Sequence, residues 1–266
     1  MKIVIKTKNR VEKFRKKTYS KIIKHYDFDE KEVHLFVSND EDLKNYKEAY
    51  PLCQVIKGPP GIAAIDNFIV DYFDEGEIYL YMNDDISGIS KAIDSKKLVP
   101  VEDLKSLLKE LIDELKLKKF TLGGFYPVYN PYFMFKSKEK RYDLSLIMDP
   151  LSICINNKDV KLSEIPVTKP DGSLFIGESS DSEKCIQHYK SKGGIIRWNH
   201  YAVNVEYYGK GPGGYQGRDS FTEKATAEFL MNKYPGYVSS VKYNKNGNTS
   251  IRLRRKPIET TVKQGT

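Results

Sequence analysis

The chain has 266 residues, of which 39% are hydrophobic and 12% aromatic. This composition supplies enough apolar surface for a core and excludes wholesale disorder, and the length fits one large domain or one domain with an appended subdomain. There are 44 Lys and Arg residues against 36 Asp and Glu residues, which gives a net charge of +8. Such an excess attracts polyanions such as nucleic acid, although a generally lysine-rich composition accounts for it equally well.

Several other classes are disfavoured by the sequence. It contains no stretch of 18 apolar residues, so no membrane-spanning helix is expected. The start, MKIVIKTKNRVEKFRKK, lacks the long apolar run and the small-residue cleavage site of a signal peptide. Cys53, Cys154 and Cys185 are far apart and form no Cys-x-x-Cys pair. A disulfide framework or a zinc site is therefore not expected, and a reducing cytoplasm is the expected setting.

Strands and helices alternate over the first third of the chain. Residue alternation and helical spacing predict strands at 2–7, 32–37, 54–56 and 77–82, with helices at 9–26, 42–50 and 62–73. This order is typical of a parallel sheet covered by helices, in which ligands bind beyond the carboxyl ends of the strands. Polar or glycine-rich segments follow all four strands, namely Thr7-Lys8, Ser38-Asn39-Asp40, residues 58–61 and Asp84-Asp85.

The rest of the chain is less regular. Leucine spacing predicts an amphipathic helix at 101–117, and an aromatic stretch, FYPVYNPYFMF, follows Gly123-Gly124. Further expected elements are a strand pair at 144–155, helices at 181–192 and 221–233, a strand at 195–205, a glycine-rich loop at 209–217, and a terminal hairpin of 237–243 with 249–254 that turns at Asn246-Gly247.

The acidic pair after the fourth strand is the strongest candidate for chemistry. Asp84 and Asp85 follow an apolar strand and are expected at its exposed end. Two adjacent carboxylates can hold Mg²⁺ or Mn²⁺ together with a diphosphate, and such a cation neutralises a departing diphosphate. The alternative is a solvated turn, because Asp and Asn are common in turns. The polar ends of the neighbouring strands favour the metal site.

Each of four other features has a chemical interpretation and an ordinary structural one. His200 could complete a metal shell or could be a hydrogen-bonded strand residue. Lys210 and Arg218, in the glycine-rich loop, could bind phosphate or belong to a surface loop. Glu178 and Asp181 could supply a general base or cap a helix. The aromatic stretch at 125–135 could stack on an acceptor or belong to the core.

Four segments, KIVIKTKNR, VHLFVSNDED, GIAAIDNFIV and YLYMNDDISGI, resemble the nucleotide-sugar half of GT-A-fold glycosyltransferases. The DxD motif of that fold reads Asn83-Asp84-Asp85 here, so that Asn83 replaces the first acid, while the last acid, the usual direct metal ligand, is present as Asp85. Later segments, GGFYPVYNPYFM, GIIRWNHYAVNVEYYGKGPGG and YVSSVKYNKNGNTSIRLRR, look more specifically like the TET/JBP-associated glycosyltransferases of phages and related viruses.

The resemblance implies an α/β fold, with a GT-A-like mixed, mainly parallel sheet flanked by helices and a C-terminal α+β extension. Residues 1–256 would form one domain, with 1–95 as the nucleotide-sugar half and 96–256 as the acceptor half, before a tail at 257–266. It further implies Mn²⁺ or Mg²⁺ as cofactor, a UDP-sugar as the default donor, and a hydroxymethylated base in DNA as acceptor. The setting would be the host cytoplasm if the protein is viral.

The same resemblance distributes roles over the residues. The catalytic base would be Asp181, with Glu178 as second choice, and Asp85 and His200 would be metal ligands. The donor would contact Thr7, Lys8, Arg10, Ser38, Asn39, Asp66, Asn67, Asn83, Asp84, Lys210 and Arg218.

Three rival functions remain open at this point. A glycosyltransferase acting on glycan or protein would share the donor site but would not bind DNA. A nucleotidyltransferase would also use paired acids and a metal, but it would leave a nucleotide on the product. A non-catalytic nucleic-acid-binding protein would account for the charge but not for acids at a strand end.

Overall fold

The computed structural model describes residues 1–177, 179–205, 219–243 and 249–258. Within these ranges a ten-stranded sheet runs through the molecule, with helices on both faces. Its strands are β1 (Lys2–Lys6), β2 (Val33–Val37), β3 (Gln54–Lys57), β4 (Ile78–Met82), β5 (Ile86–Ala92), β6 (Leu98–Pro100), β7 (Leu122–Tyr126), β8 (Lys140–Arg141), β9 (Leu151–Ile155) and β12 (Ile196–Val205). Two small hairpins lie apart from it, β10 (Ile165–Thr168) with β11 (Leu174–Gly177), and β13 (Val238–Tyr243) with β14 (Thr249–Leu253).

The helices are α1 (Val11–Phe14), α2 (Asp40–Ala49), α3 (Ile62–Tyr72), α4 (Leu104–Lys118), α5 (Pro131–Lys136), α6 (Ser180–Lys192) and α7 (Ser220–Lys233). Helix α1 continues in π-helical form over Arg15–Lys24 and is kinked at Lys17, where φ is −106° and ψ is −105°. The single helix predicted at 9–26 is therefore present, but it is not one regular α-helix.

The strand order across the sheet is β3-β2-β1-β4-β9-β7-β12-β5-β6, and β8 pairs with β12. Strands β1 to β4 are parallel, β9 is inserted antiparallel between β4 and β7, and β12 is parallel to β7. Within the described chain only β5, β8 and β9 oppose the common direction. The predicted mixed, mainly parallel sheet is confirmed, and α7 with the hairpin β13-β14 forms the predicted C-terminal α+β extension.

The two faces of the sheet are buried by different helices, because successive side chains of a strand point to opposite faces. On one face Ile3 and Ile5 of β1 pack with α1, its π-helical continuation, α2 and the leucine stripe of α4. On the other face Val4 packs with α3, α6 and α7. From the end of β1 onward, successive side chains therefore point alternately to these two faces, which are covered by different helices.

The connection between β4 and β5 shows that the sheet curls strongly. The two strands are four places apart in the strand order, which corresponds to about 19 Å across a flat sheet. Only Asn83, Asp84 and Asp85 join them, and a fully extended chain from Met82 to Ile86 spans at most about 14 Å. The long strand β12, whose pairing shifts register between Trp198 and Ala202 and again at Asn204, carries β5 back toward the end of β4.

Part of the chain departs from the sequence-based expectation. Residues 144–149 form no strand, so only the second half of the strand pair predicted at 144–155 exists, as β9. Strands β5 to β8, hairpin β10-β11 and helix α5 were not predicted. All three cysteines are free and buried. Within the described ranges, no helix has both the length and the hydropathy needed to cross a bilayer.

Candidate active site

Asp84 and Asp85 lie where β4 ends, and both are buried, at 4% and 6% exposure. The backbone of this turn is fixed from both sides, because Asn83 donates its N–H to the carbonyl of Pro150 at 3.1 Å and the Thr18 hydroxyl donates to the Asn83 carbonyl at 2.7 Å. The Thr18 hydroxyl also accepts from the N–H of Ile86 at 2.9 Å. A solvated turn would leave these carboxylates in water, so this burial argues against that alternative.

The Asp84 carboxylate is satisfied on both oxygens. Its Oδ2 accepts from the Thr7 hydroxyl at 2.7 Å, and its Oδ1 accepts from Arg10 Nη1 at 3.0 Å. The Thr7 hydroxyl in turn lies 2.5 Å from the Tyr46 hydroxyl. Burial raises the pKa of Asp84 above its ordinary value, and the Arg10 guanidinium and the Thr7 hydroxyl oppose that rise.

The Asp85 carboxylate is only half satisfied. Its Oδ2 lies 3.1 Å from Lys13 Nζ and 3.6 Å from Arg10 Nη1. Its Oδ1 is buried and has no hydrogen-bond partner in the part of the chain that the structure describes. An unpartnered buried carboxylate oxygen is costly unless a ligand completes it, and a hard divalent cation takes such oxygens. Asp85 therefore fits the role of metal ligand, and Asp84 lies beside it as an alternative donor of oxygen.

The cations of the site are positioned by the start of α2. Asp42 accepts from the N–H of Asn9 at 3.1 Å and from Asn39 Nδ2 at 2.8 Å, while Asn39 Oδ1 caps the helix by accepting from the N–H of Asp42 at 2.7 Å. Asn9 has a left-handed φ of 53°, which turns the chain from β1 into α1. Asn39 thus holds the turn that precedes Arg10, rather than lining an open pocket. Ser38 is half-buried and Lys8 is exposed at the same edge of the sheet.

A second charged cluster lies at the same edge of the sheet but on its opposite face. It includes Lys6, the residue before Thr7. Lys6 Nζ is 2.8 Å from Asp66 and 3.7 Å from Asp149, and Asp66 also accepts from the Tyr81 hydroxyl at 2.7 Å. Lys184 Nζ lies 3.2 Å from Asp149. Asp66 is therefore held by the protein in this structure.

Asp181 joins this cluster through Asp149. Its Oδ1 accepts the backbone N–H of Asp149 at 2.9 Å. Burial and the neighbouring Asp149 carboxylate raise the pKa of Asp181 well above its ordinary value. Burial also acts on Asp149, but Lys184 and Lys6 outweigh it and hold the pKa of Asp149 below its ordinary value. A raised carboxyl pKa is typical of a general acid–base residue and of a buried structural carboxyl alike.

Two predicted site residues are placed elsewhere. His200 lies five positions before Val205 on β12, and Val205 pairs with Ile86, so His200 is about 16 Å along the strand from the Asp85 end. Its ring instead stacks on Phe135, and its interpretation as a metal ligand is revised. Asn67 exchanges hydrogen bonds with the backbone of Leu162, at 2.9 and 2.7 Å, which makes it an anchor for that loop.

Glu178, Lys210 and Arg218 lie outside the described residues. Among the described residues, no group of three or more His, Cys, Asp or Glu side chains is arranged so that it could hold a metal ion by itself. The sequence interpretation missed Lys13, Tyr46, Asp149 and Lys184. Lys13 could have been found, because it lies three positions after Arg10 on one helix face. The other three reach the cluster only through tertiary packing.

Comparison with known proteins identifies no family, since no family model and no curated protein matches the sequence. Among solved structures, the chain is similar to glucosyl-3-phosphoglycerate synthase from Mycobacterium tuberculosis in complex with Mn²⁺ and uridine-diphosphate-glucose. The identity is 11%, the coverage is 96% of this chain and 86% of that one, and the TM-score is 0.49.

Two further structures match a smaller share. The mannosyltransferase PcManGT from Pyrobaculum calidifontis, in complex with GDP-Man and Mn²⁺, is 15% identical over 58% of this chain and 44% of that one, with a TM-score of 0.38. S. aureus TarS 1–349 is 14% identical over 76% and 59%, with a TM-score of 0.42. This chain therefore spans about half the length of these two. At such TM-scores and identities the likenesses do not bear on function.

Proposed function

We propose that this protein is a metal-dependent glycosyltransferase that moves a sugar from a nucleotide-sugar donor, in the first instance a UDP-sugar, to a hydroxyl acceptor. The observation that carries the proposal is the buried pair at the end of β4, in which Asp85 keeps one carboxylate oxygen without a partner. A non-catalytic nucleic-acid-binding protein has no use for such an oxygen beneath its surface.

The residues of the site would have different roles in donor binding. Asp85, with Asp84 beside it, would hold Mn²⁺ or Mg²⁺, and the bound ion would offset the charge of the leaving diphosphate. Arg10 and Lys13, which contact the two carboxylates, lie where they can also neutralise that diphosphate. Thr7 and Tyr46 fix the orientation of Asp84 and keep its second oxygen occupied.

The acceptor in this proposal is a hydroxymethylated base in DNA. It is supported by the net charge of +8 and by the resemblance of the later segments to the TET/JBP-associated group. For the acceptor proton we keep Asp181 as first candidate base and Glu178 as second. We also keep the division into a nucleotide-sugar half at 1–95 and an acceptor half at 96–256.

The test incubates the full chain with Mn²⁺, a panel of nucleotide sugars, and DNA that contains either hydroxymethylated or plain bases. Mass spectrometry of the digested nucleosides reads out transfer, and a hexose or pentose added to the hydroxymethylated nucleoside alone is the expected result. Asp85→Asn should abolish this product, whereas Asp113→Asn, at an exposed position of α4, should not.

Three outcomes of that assay would count against the proposal. Transfer to glycan or protein acceptors only would remove DNA as the substrate class. A nucleotide found on the product would identify the nucleotidyltransferase instead. Complete absence of nucleotide-sugar turnover, with water or any acceptor, would end the assignment as a glycosyltransferase.

A further inference from the structure

Helix α5 and the segment after it present an exposed row of aromatic and basic side chains, which we call the aromatic–lysine surface. It consists of Tyr132, Phe133, Phe135, Lys136, Lys138 and Lys140. We propose that this surface binds an unpaired nucleic-acid strand by stacking of bases on its rings. The inference rests on the proposed function, because it assigns a surface to the acceptor of that reaction.

The aromatic rings are exposed although large apolar side chains are ordinarily buried. Tyr132 is 46% exposed, Phe133 52% and Phe135 43%, whereas Met134 between them is fully buried. Met134 therefore anchors the helix, whereas about half of each of the three rings stays exposed, with Phe135 stacked on His200. The rings of Tyr132 and Phe133 meet edge to face at 5.3 Å, so they form one patch.

The backbone beneath this surface is held firmly by β12. The N–H of Asn199 donates to the carbonyl of Glu139 at 2.7 Å, and the fully buried Asn199 side chain donates to the carbonyl of Lys138 at 2.6 Å. The two residues of β8 pair with Arg197 and Trp198. A surface that is ordered before it binds loses less conformational entropy on binding, which favours a recognition role.

One lysine lies over a ring of the surface, and a second lies over a buried ring beside it. Lys136 Nζ is 4.1 Å from the ring centroid of Tyr132, and Lys140 Nζ is 4.4 Å from that of Trp198. Lys140 also contacts Glu114 at 3.0 Å, while Lys138 is exposed. Aromatic faces interleaved with cations are what a strand of bases joined by phosphates requires.

The surface lies at the same edge of the sheet as the candidate active site. Helix α5 follows the carboxyl end of β7, which points in the same direction as β4 and is two places away in the sheet, about 10 Å across the strands. Phe135 of α5 stacks on His200, which lies about 16 Å along β12 from the Asp85 end. A strand held on this surface would span that distance, a few nucleotides, to reach the acidic pair.

The chemistry favours nucleic acid over the other polymers that stack on aromatic rings. A neutral glycan would use the rings but would gain nothing from the interspersed lysines. A protein partner would be expected to cover a continuous apolar patch, whereas here Lys136 lies over the Tyr132 ring and exposed charged residues follow at 138–140. The net charge of +8 agrees with a polyanionic ligand.

The test measures fluorescence anisotropy of a labelled single-stranded 20-mer DNA and of its duplex, with the full chain and no donor. The single strand should bind more tightly. The double variant Phe133→Ala/Phe135→Ala should bind it at least tenfold more weakly, because each stacked base contributes on the scale of about tenfold in affinity. Lys136→Ala/Lys138→Ala should lower the salt dependence of binding.

Matched controls come from exposed residues elsewhere. Phe221→Ala replaces a ring that is 44% exposed on α7, and Lys109→Ala replaces an exposed lysine on α4. Both should bind like the wild type. Thermal melts of every variant confirm folding.

Several results would overturn the inference. These are equal loss of DNA binding in the Phe221→Ala control, unchanged binding in the Phe133→Ala/Phe135→Ala variant, and salt-insensitive binding of neutral oligosaccharides with no binding of DNA.

Slow hydrolysis of the nucleotide sugar by the wild type, measured separately, reports on the proposed function. DNA binding without hydrolysis would support the aromatic–lysine surface and refute the proposed enzyme activity. Hydrolysis without DNA binding would refute only the role of the surface.

Discussion

Asp84 and Asp85 are neighbours in the chain, yet their surroundings give them different tasks. Asp84 has a hydroxyl and a guanidinium on its two oxygens, so it organises the turn. Asp85 has Lys13 and, farther away, Arg10 on one oxygen, while its other oxygen has no hydrogen-bond partner among the described residues. The unpartnered oxygen of Asp85, rather than the presence of two acids in sequence, is the part of this site that a divalent ion can use.

This difference predicts opposite phenotypes for the two amide substitutions. Mn²⁺ should raise the melting temperature of the wild type, because a ligand that binds only the folded state stabilises it. Asp85→Asn should lose most of this increase. Asp84→Asn should instead lower stability by about 1–3 kcal/mol without Mn²⁺, because Arg10 loses a charged partner. Differential scanning calorimetry with and without Mn²⁺ tests both, and equal Mn²⁺ responses of the two variants would contradict the assignment.

The pH dependence of stability tests the raised pKa of Asp181. Its pKa is raised in the folded state, so its contribution to stability is complete below the ordinary carboxyl pKa and is lost as pH rises through the raised value. Asp181→Asn keeps the acceptor for the N–H of Asp149 and cannot ionise. The variant should therefore melt higher than the wild type at pH 8, with a smaller difference at pH 4.

The same variant reports on the proposed base. If Asp181 takes the acceptor proton, turnover should fall by about 10²–10⁴-fold although the protein is more stable. A stable variant with full turnover would show that Asp181 is not the catalytic base. A less stable variant at pH 8 would show that the charge on Asp181 is favourable, contrary to the direction given by its surroundings.

The sequence alone could locate the acids and two of their partners, Thr7 and Arg10, but not Tyr46. Thr7, Arg10, Asp84 and Asp85 follow strand ends of a predicted parallel sheet, and such ends meet at one edge. Tyr46 comes from the middle of α2, and no local pattern directs it to Thr7. His200 was misplaced for a related reason, because the register of β12 against β5 depends on the curl of the sheet and not on local sequence.

At the scale of elements, β7 depends on a glycine because the segment 144–149 packs against its backbone. A Cβ at Gly124 would lie 2.4 Å from Cγ2 of Ile147, a contact that side chains do not tolerate. The segment 144–149, which carries Ile147 and is not a strand, is thus packed directly against the backbone of β7. Asp149 at its end owes its place beside Lys6 and Lys184 to this packing.

Gly124→Ala should therefore destabilise the protein by about 1–3 kcal/mol through overpacking. Gly88→Ala, in β5, is the matched control, because nothing lies within 4 Å of its Cβ position. Urea unfolding of both variants measures the difference. Equal unfolding midpoints would show that Ile147 moves aside without cost and that the segment is loosely packed.

The elements that the sequence predicted are those with uninterrupted periodicity. Strands β1 to β4 and helices α2, α3, α4, α6 and α7 all fall within a few residues of their predicted bounds. Strands β5 and β7 were not predicted because Gly88 and the pair Gly123-Gly124 interrupt their alternation. Helix α5 was not predicted because its apolar residues face solvent, which removes the amphipathic pattern on which a helix assignment depends.

At the scale of the whole molecule, the excess positive charge sets the expected response to salt. If three phosphates are contacted, the logarithm of the affinity for single-stranded DNA should fall with the logarithm of salt concentration with a slope of about −2. Affinity would then drop by about fifteenfold between 50 and 200 mM NaCl. Anisotropy titrations at four salt concentrations give the slope, and a slope near zero would show that the charge is not used for nucleic acid.

The short connection from β4 to β5 also limits how this protein can change. Three residues bridge a gap that only a curled sheet makes short enough, and two of them are the acids of the site. A lengthened connection would relax the curl and let both carboxylates drift from Arg10 and Lys13. By contrast, the turn at Asp94, where its carboxylate accepts from the N–H groups of Lys96 and Lys97, lies far from these constraints. An insertion at that turn should therefore leave the acidic pair in place.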